Sequence, residues 1–172
     1  MAANHTSYLD IPCIAFSSSR RIYFIAREGL FKNWLMKIIM NFFGTISLAR
    51  WQADLSAMRK AIQSIKEGKV VCLFPEGTRS EDGKLSNILG PGVGFLAVKS
   101  NAPVVPLYIH GTHKILPKGN RWIHCHPVKV ILAKPLYPEG IASQFPMKER
   151  YHQFTQQVSE SLQALQEKMS EV

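Results

Sequence analysis

The residues in this sequence best suited to acid–base chemistry are His5 and Asp10. Inside one regular helix they would point about 140° apart. They can meet if His5 lies in the loop before a helix and Asp10 in its first turn, where Pro12 is favoured. Asp10 then accepts a hydrogen bond from one imidazole nitrogen and leaves the other as a base. Alternatively, Ser7-x-x-Asp10 is a capping box, and Asp10 binds only backbone N–H groups.

A second set of polar residues lies in the segment Phe74-Pro75-Glu76-Gly77-Thr78-Arg79-Ser80. The apolar run 69–73 before it is typical of a strand buried on both faces. Pro75 should end that strand, and Gly77 permits a tight turn. The glutamate, threonine and arginine would then lie at the carboxyl end of a strand, where α/β sheets bind ligands. Alternatively, this is a surface turn in which Glu76 and Arg79 only pair with each other.

Apolar periodicity predicts the elements that position these residues. We expect strands over 21–26, 44–50, 69–74, 104–109 and 128–133, and helices over 54–66, 92–100 and an amphipathic 148–169. Their alternation predicts an α/β domain, and a length of 172 residues is most simply one domain.

A further apolar stripe with helical spacing runs through residues 30–43 and comprises Phe31, Trp34, Leu35, Ile38, Ile39, Phe42 and Phe43. Such a stripe fits a helix that faces the core. Because lysines flank its aromatic residues, it fits a helix in a membrane interface equally well. Both interpretations stay open.

The composition narrows the partners. The 21 Lys and Arg against 12 Asp and Glu give a net charge of +9, which favours a phosphorylated substrate, an acidic membrane surface or a nucleic acid. The cations are scattered and match no nucleic-acid motif, so we expect no nucleic-acid partner.

His124-Cys125-His126 matches no standard zinc spacing, so we expect no metal. Three widely spaced cysteines suggest a reducing compartment, with Cys72 in the core.

Four segments in order resemble the motifs of the glycerolipid acyltransferases, specifically the 1-acyl-sn-glycerol-3-phosphate acyltransferase type. They are Asn4-His5-x-x-x-x-Asp10, Gly44 to Arg50, Phe74 to Ser80, and Val104-Val105-Pro106-Leu107. The resemblance covers about residues 4–135 and implies one acyltransferase domain over 1–172, with a mixed, largely parallel central sheet flanked by helices. Relatives carry a strand, and often an anchor, ahead of the histidine; here both are expected to be missing.

The resemblance implies an O-acyltransferase that needs no cofactor. It would transfer a fatty acyl group from acyl-CoA or acyl-carrier protein to a lysophospholipid, at the cytoplasmic face of an anionic membrane. It implies that His5 is the base and that Asp10 orients it. The residues implied to shape the acceptor site or hold its phosphate are Arg50, Glu76, Gly77, Thr78 and Arg79.

One difference from the family keeps other functions open. Relatives tend to have Phe-Lys-x-Gly where this chain has Leu89-Gly90-Pro91-Gly92, so a phosphate contact from that lysine is lost. The acceptor could therefore be another lysolipid or an amino-lipid. The chain could also be an inactive relative that only binds anionic membranes. A serine hydrolase is disfavoured because the sequence has no Gly-x-Ser-x-Gly motif.

Overall fold

The computed structural model describes residues 1–27, 38, 42–48, 55–86, 89–120, 122–141 and 144–170. The strands are β1 (Ala2–Ala3), β2 (Ile22–Arg27), β3 (Thr45–Leu48), β4 (Val70–Cys72), β5 (Pro106–His110) and β6 (Lys129–Leu132). The helices are α1 (Asp10–Phe16), α2 (Leu55–Lys66), α3 (Gly92–Ser100), α4 (Thr112–Ile115) and α5 (Met147–Ser170), with a 3-10 turn at Pro138–Gly140.

The strands form two three-stranded ladders, β3-β2-β4 and β1-β5-β6. A parallel bridge between Ala2 and Leu73 joins them and gives the order β3-β2-β4-β1-β5-β6. The pairs are parallel except β5 with β6, where Leu107 lies opposite Leu132. The predicted mixed, largely parallel α/β fold is therefore confirmed.

The expectation that no strand precedes His5 is wrong. Ala2–Ala3 is a strand between β4 and β5, and both of its side chains are fully buried. It is held from both sides, because Ala3 N–H donates to the Leu73 carbonyl (3.1 Å) and Ala2 N–H donates to the Val105 carbonyl (3.1 Å). Alanine is a poor strand former, and two residues carry no visible alternation. Backbone pairing to two neighbours places this strand, and its side chains give no sign of it.

Apolar side chains cover both faces of the sheet. Successive residues of β4 and its extension alternate between two cores, with Val71 and Leu73 in one and Cys72 and Phe74 in the other. Side chains from α2, α3 and α5 complete the first core, and those of α1 complete the second. The predicted core position of Cys72 is confirmed, and burial raises the pKa of its thiol to about 11.

Most of the stripe predicted over 30–43 lies outside the described residues. Within them, Ile38 and Phe42 are exposed, at 56% and 72% of their surface, whereas Phe43 packs against the second core. Across the described part of the chain, no helix combines the length and the apolar character needed to cross a membrane.

Candidate active site

The polar residues of the site follow three neighbouring strands. β4, β1 and β5 are adjacent and parallel, so their carboxyl ends meet at one edge of the sheet. His5 follows β1, Glu76 follows β4, and Thr112 follows β5. Segments far apart in sequence are thereby brought together where α/β sheets bind ligands.

The predicted contact between His5 and Asp10 is present. His5 lies in the loop after β1, Asp10 is the first residue of α1, and the His5 Nδ1 to Asp10 Oδ2 distance is 2.9 Å. The same carboxylate oxygen accepts the backbone N–H groups of Thr6 (2.7 Å) and Ser7 (2.9 Å). The two interpretations of Asp10 are therefore compatible, since one carboxylate orders the loop backbone and also holds the imidazole.

The environment of the His5 ring fixes its orientation. Because Asp10 is an acceptor, Nδ1 carries the proton and Nε2 keeps its lone pair. The ring stacks on Phe74 with centroids 4.0 Å apart and an interplanar angle of 16°. Within the described residues Nε2 has no hydrogen-bond partner, and the side chain is 13% exposed. One nitrogen is thus held in place while the other is free to act on a substrate.

Glu76 joins the second predicted segment to the first. Its Oε1 accepts the backbone N–H of His5 (2.8 Å), and its Oε2 accepts that of Ser86 (3.0 Å). Burial raises the pKa of Glu76 to about 6, although these two hydrogen bonds oppose the increase. Gly77, at a φ of 71°, makes the turn that follows, with its N–H on the Phe74 carbonyl.

Arg79 does not pair with Glu76 among the ion pairs of the described residues. Its guanidinium carbon lies 3.7 Å from the centre of the Tyr8 ring, which is close contact of a cation with an aromatic face. Stacking leaves the edge of the guanidinium free for an anionic ligand. Thr78 is exposed in the same turn, and Arg50 lies outside the described residues.

Two residues that make clear contacts in the site, Thr112 and Asn4, were not predicted from the sequence. Thr112 is fully buried, and its hydroxyl donates to Asp10 Oδ1 at 2.5 Å while lying 3.0 Å from the Thr6 hydroxyl. The side-chain amide of Asn4 exchanges two hydrogen bonds with the backbone of Ile109, at 2.7 and 2.9 Å. A polar residue within three positions of the end of the predicted strand 104–109 is the signal that could have pointed to Thr112.

Known proteins are similar to this chain over most of its length. Residues 1–110, more than half of the chain, match the Acyltransferase family. The chain belongs to this family. A chloroplastic 1-acyl-sn-glycerol-3-phosphate acyltransferase of Brassica napus is 36% identical over 78% of the chain and 40% of its own length. A 1-acyl-sn-glycerol-3-phosphate acyltransferase of Bacillus subtilis is 25% identical over 100% of the chain and 83% of its own length.

A solved structure is also similar. The crystal structure of the 1-acyl-sn-glycerophosphate acyltransferase PlsC from Thermotoga maritima is 31% identical, with a TM-score of 0.66. The match covers 95% of this chain and 65% of that one. The chain spans about two-fifths of the length of two plant relatives, 40% of the Brassica napus protein and 38% of a chloroplastic 1-acyl-sn-glycerol-3-phosphate acyltransferase of Arabidopsis thaliana.

Proposed function

We propose that this protein transfers a fatty acyl group from an acyl thioester to the free hydroxyl of 1-acyl-sn-glycerol-3-phosphate. The observation that carries the proposal is the His5 Nδ1–Asp10 Oδ2 contact of 2.9 Å, held against the turn that contains Glu76 and Arg79. The family and the names of the relatives support this reaction and this acceptor.

In the proposed reaction His5 Nε2 removes the proton from the acceptor hydroxyl as its oxygen attacks the thioester carbonyl. A carbon–oxygen bond forms, and a tetrahedral intermediate carries the charge on the former carbonyl oxygen. When this intermediate collapses, the carbon–sulfur bond breaks and the imidazolium returns the proton to the leaving thiolate. Asp10 stabilises the imidazolium throughout, and a positioned base of this kind contributes about 10²- to 10⁴-fold in rate.

We assign the acceptor phosphate to cationic residues and the acyl chain to an apolar cavity. Arg79, together with Arg50, would bind the phosphate of the acceptor, since a planar guanidinium suits bidentate phosphate contacts. A cavity of about 430 Å³ lined by Ile25, Leu73, Phe95 and Tyr151, among others, would hold an acyl chain. Leu73 lines this cavity from one face of the sheet, whereas Phe74, which stacks on His5, belongs to the other face, so an acyl chain in the cavity would reach the reacting centre around the edge of the sheet.

The acyl donor, the membrane face and the acceptor head group are part of the same proposal. The donor is acyl-CoA or acyl-carrier protein, and the reaction takes place at the cytoplasmic face of an anionic membrane. Gly90, which stands where relatives tend to have lysine, donates its N–H to the Pro75 carbonyl at 2.8 Å. This backbone contact does not replace the charge of a lysine, so we assign the acceptor phosphate to Arg79 and Arg50.

The test is acyl transfer from labelled acyl-CoA to lysophosphatidic acid by purified protein. His5→Ala should lower the rate at least 100-fold, the lower bound expected for a lost general base. Thermal unfolding at an unchanged temperature would show that the fold is intact. Equal turnover by both proteins would remove His5 from the mechanism. If the unaltered protein acylates no lysolipid but still binds anionic vesicles, it is an inactive membrane-binding relative.

A further inference from the structure

Two large apolar side chains are exposed next to each other between α4 and β6. Trp122 is 78% exposed and Ile123 is 71% exposed. They lie in the segment after α4, of which the structure describes residues 116–120 and 122–127, here named the 116–127 loop. Single exposed apolar residues are common on soluble proteins, but an adjacent tryptophan and isoleucine at a loop tip are typical of a contact surface.

The 116–127 loop is fixed to both segments of the active site. At its start, the Leu116 carbonyl accepts the Ser7 hydroxyl at 2.8 Å, in the loop that holds His5. The Lys118 ammonium lies 3.0 Å from Glu81 Oε1, just beyond the turn that contains Arg79. His124 N–H donates to the Ile115 carbonyl at 2.9 Å and closes the loop. The exposed pair therefore borders the carboxyl edge of the sheet, where the substrates would enter.

The stretch of sequence around this pair is basic. The sequence contains no acidic residue between Asp82 and Glu139. Over the same stretch it has several lysines, of which Lys114 and Lys129 are exposed beside the loop. An apolar tip with cations around it is complementary to a bilayer with anionic head groups, because the tip enters the interface while the cations meet phosphate.

We propose that the 116–127 loop inserts Trp122 and Ile123 into the head-group region of an anionic bilayer and turns the His5 site toward the lipid. The choice of a lipid surface rests on the proposed function, since its acceptor is a membrane lipid. Tryptophan suits this place because its ring is apolar and its indole N–H stays near water. The acceptor could then reach His5 without leaving the interface.

The experiment is sedimentation of the full chain with vesicles of phosphatidylcholine and phosphatidylglycerol in equal amounts, without substrate. Trp122→Glu and Ile123→Glu should each weaken vesicle binding at least tenfold, and their unfolding temperatures should not change. The matched control is Tyr137→Glu. Tyr137 is an exposed aromatic residue (58%) next to Leu136, which pairs with Val104 ahead of β5, so it lies at the opposite edge of the sheet and its replacement should leave binding unchanged.

Intrinsic fluorescence gives a second measurement. The emission of the unaltered protein should shift to the blue on addition of these vesicles, and Trp122→Phe should remove most of the shift. Unchanged vesicle binding by Trp122→Glu and Ile123→Glu overturns the proposal, as does binding abolished by Phe42→Glu instead. An unaltered protein with no turnover but with Trp122-dependent binding would contradict the proposed function and leave this inference standing.

Discussion

Replacement of Thr112 by valine tests how the catalytic pair is held. Valine has nearly the shape of threonine, so the packing is conserved and only the hydroxyl is lost. That hydroxyl is the donor to Asp10 Oδ1, at 2.5 Å, and its oxygen accepts the hydroxyl of Thr6, at 3.0 Å. In the variant, a methyl group faces a carboxylate oxygen in a fully buried environment.

The expected cost follows from these contacts. A hydrogen bond to a charged group contributes about 1.5–3 kcal/mol to stability, and a buried partner left unsatisfied is destabilising by a similar amount. We therefore expect the free energy of unfolding to fall by about 2–3 kcal/mol. A carboxylate with one free oxygen also holds the His5 ring less firmly. If about 1.4 kcal/mol of that loss reaches the transition state, kcat falls about tenfold.

The assays are urea unfolding and steady-state kinetics with lysophosphatidic acid. Thr112→Val should lower kcat and leave the KM for the acceptor unchanged, because Thr112 touches Asp10 and makes no substrate contact. Thr112→Ser keeps the hydroxyl and should restore kcat. Thr155→Val is the control. It removes another buried threonine hydroxyl (Thr155 is 7% exposed), which donates to the Tyr151 carbonyl in α5, and it should lower stability without lowering kcat. If Thr112→Ser is as slow as Thr112→Val, the hydroxyl does not position the pair.

Three further predictions concern stability and acceptor binding. Burial raises the pKa of Glu76 from 4.5 to about 6, so ionisation of its carboxyl group destabilises the fold as the pH rises through 6. In urea unfolding, the free energy of unfolding of the unaltered protein should therefore fall by about 2 kcal/mol relative to that of Glu76→Gln between a pH below 4.5 and a pH above 6. Arg79→Ala should raise the KM for lysophosphatidic acid at least tenfold with little change in the KM for acyl-CoA, and Arg79→Lys should recover only part of this in the same kinetics. Gly94→Ala should lower the free energy of unfolding in urea by about 2–3 kcal/mol, because the added methyl carbon would lie 2.0 Å from the Tyr151 carbonyl oxygen and push α3 away from α5. An unchanged free energy of unfolding would show that the two helices separate freely.

Local rules were sufficient to predict much of the fold. The apolar run 69–73 gave β4 within a residue or two of its bounds, and Gly92–Ser100 is a helix over the predicted residues. The contact between His5 and Asp10 was also accessible, since it depends only on where a loop ends and a helix begins. Such features are determined by residues close in sequence, whose geometry is limited by backbone sterics.

The order of strands could not be predicted in the same way. Backbone hydrogen bonds of Ala2 and Ala3 place β1 between β4 and β5. The side chains of these two residues do not indicate this position. Thr112 was missed for the same reason, because its role depends on β5 being the neighbour of β1. A polar residue after a strand is informative only once that strand has a place in the sheet.

The two halves of the site are also linked more tightly than the catalytic pair alone requires. Both backbone groups of His5 bind the segment after β4, its N–H to Glu76 Oε1 at 2.8 Å and its carbonyl to Ser80 N–H at 2.8 Å. The base and the turn that carries Arg79 therefore move together. Glu76 makes this link as a carboxylate that burial disfavours, so ionisation above pH 6 costs stability while it strengthens the hold on His5. Glu76→Gln should therefore remove the loss of stability above pH 6. Activity that rises with pH less steeply in Glu76→Gln than in the unaltered protein would show that the ionised carboxylate tightens the hold on His5.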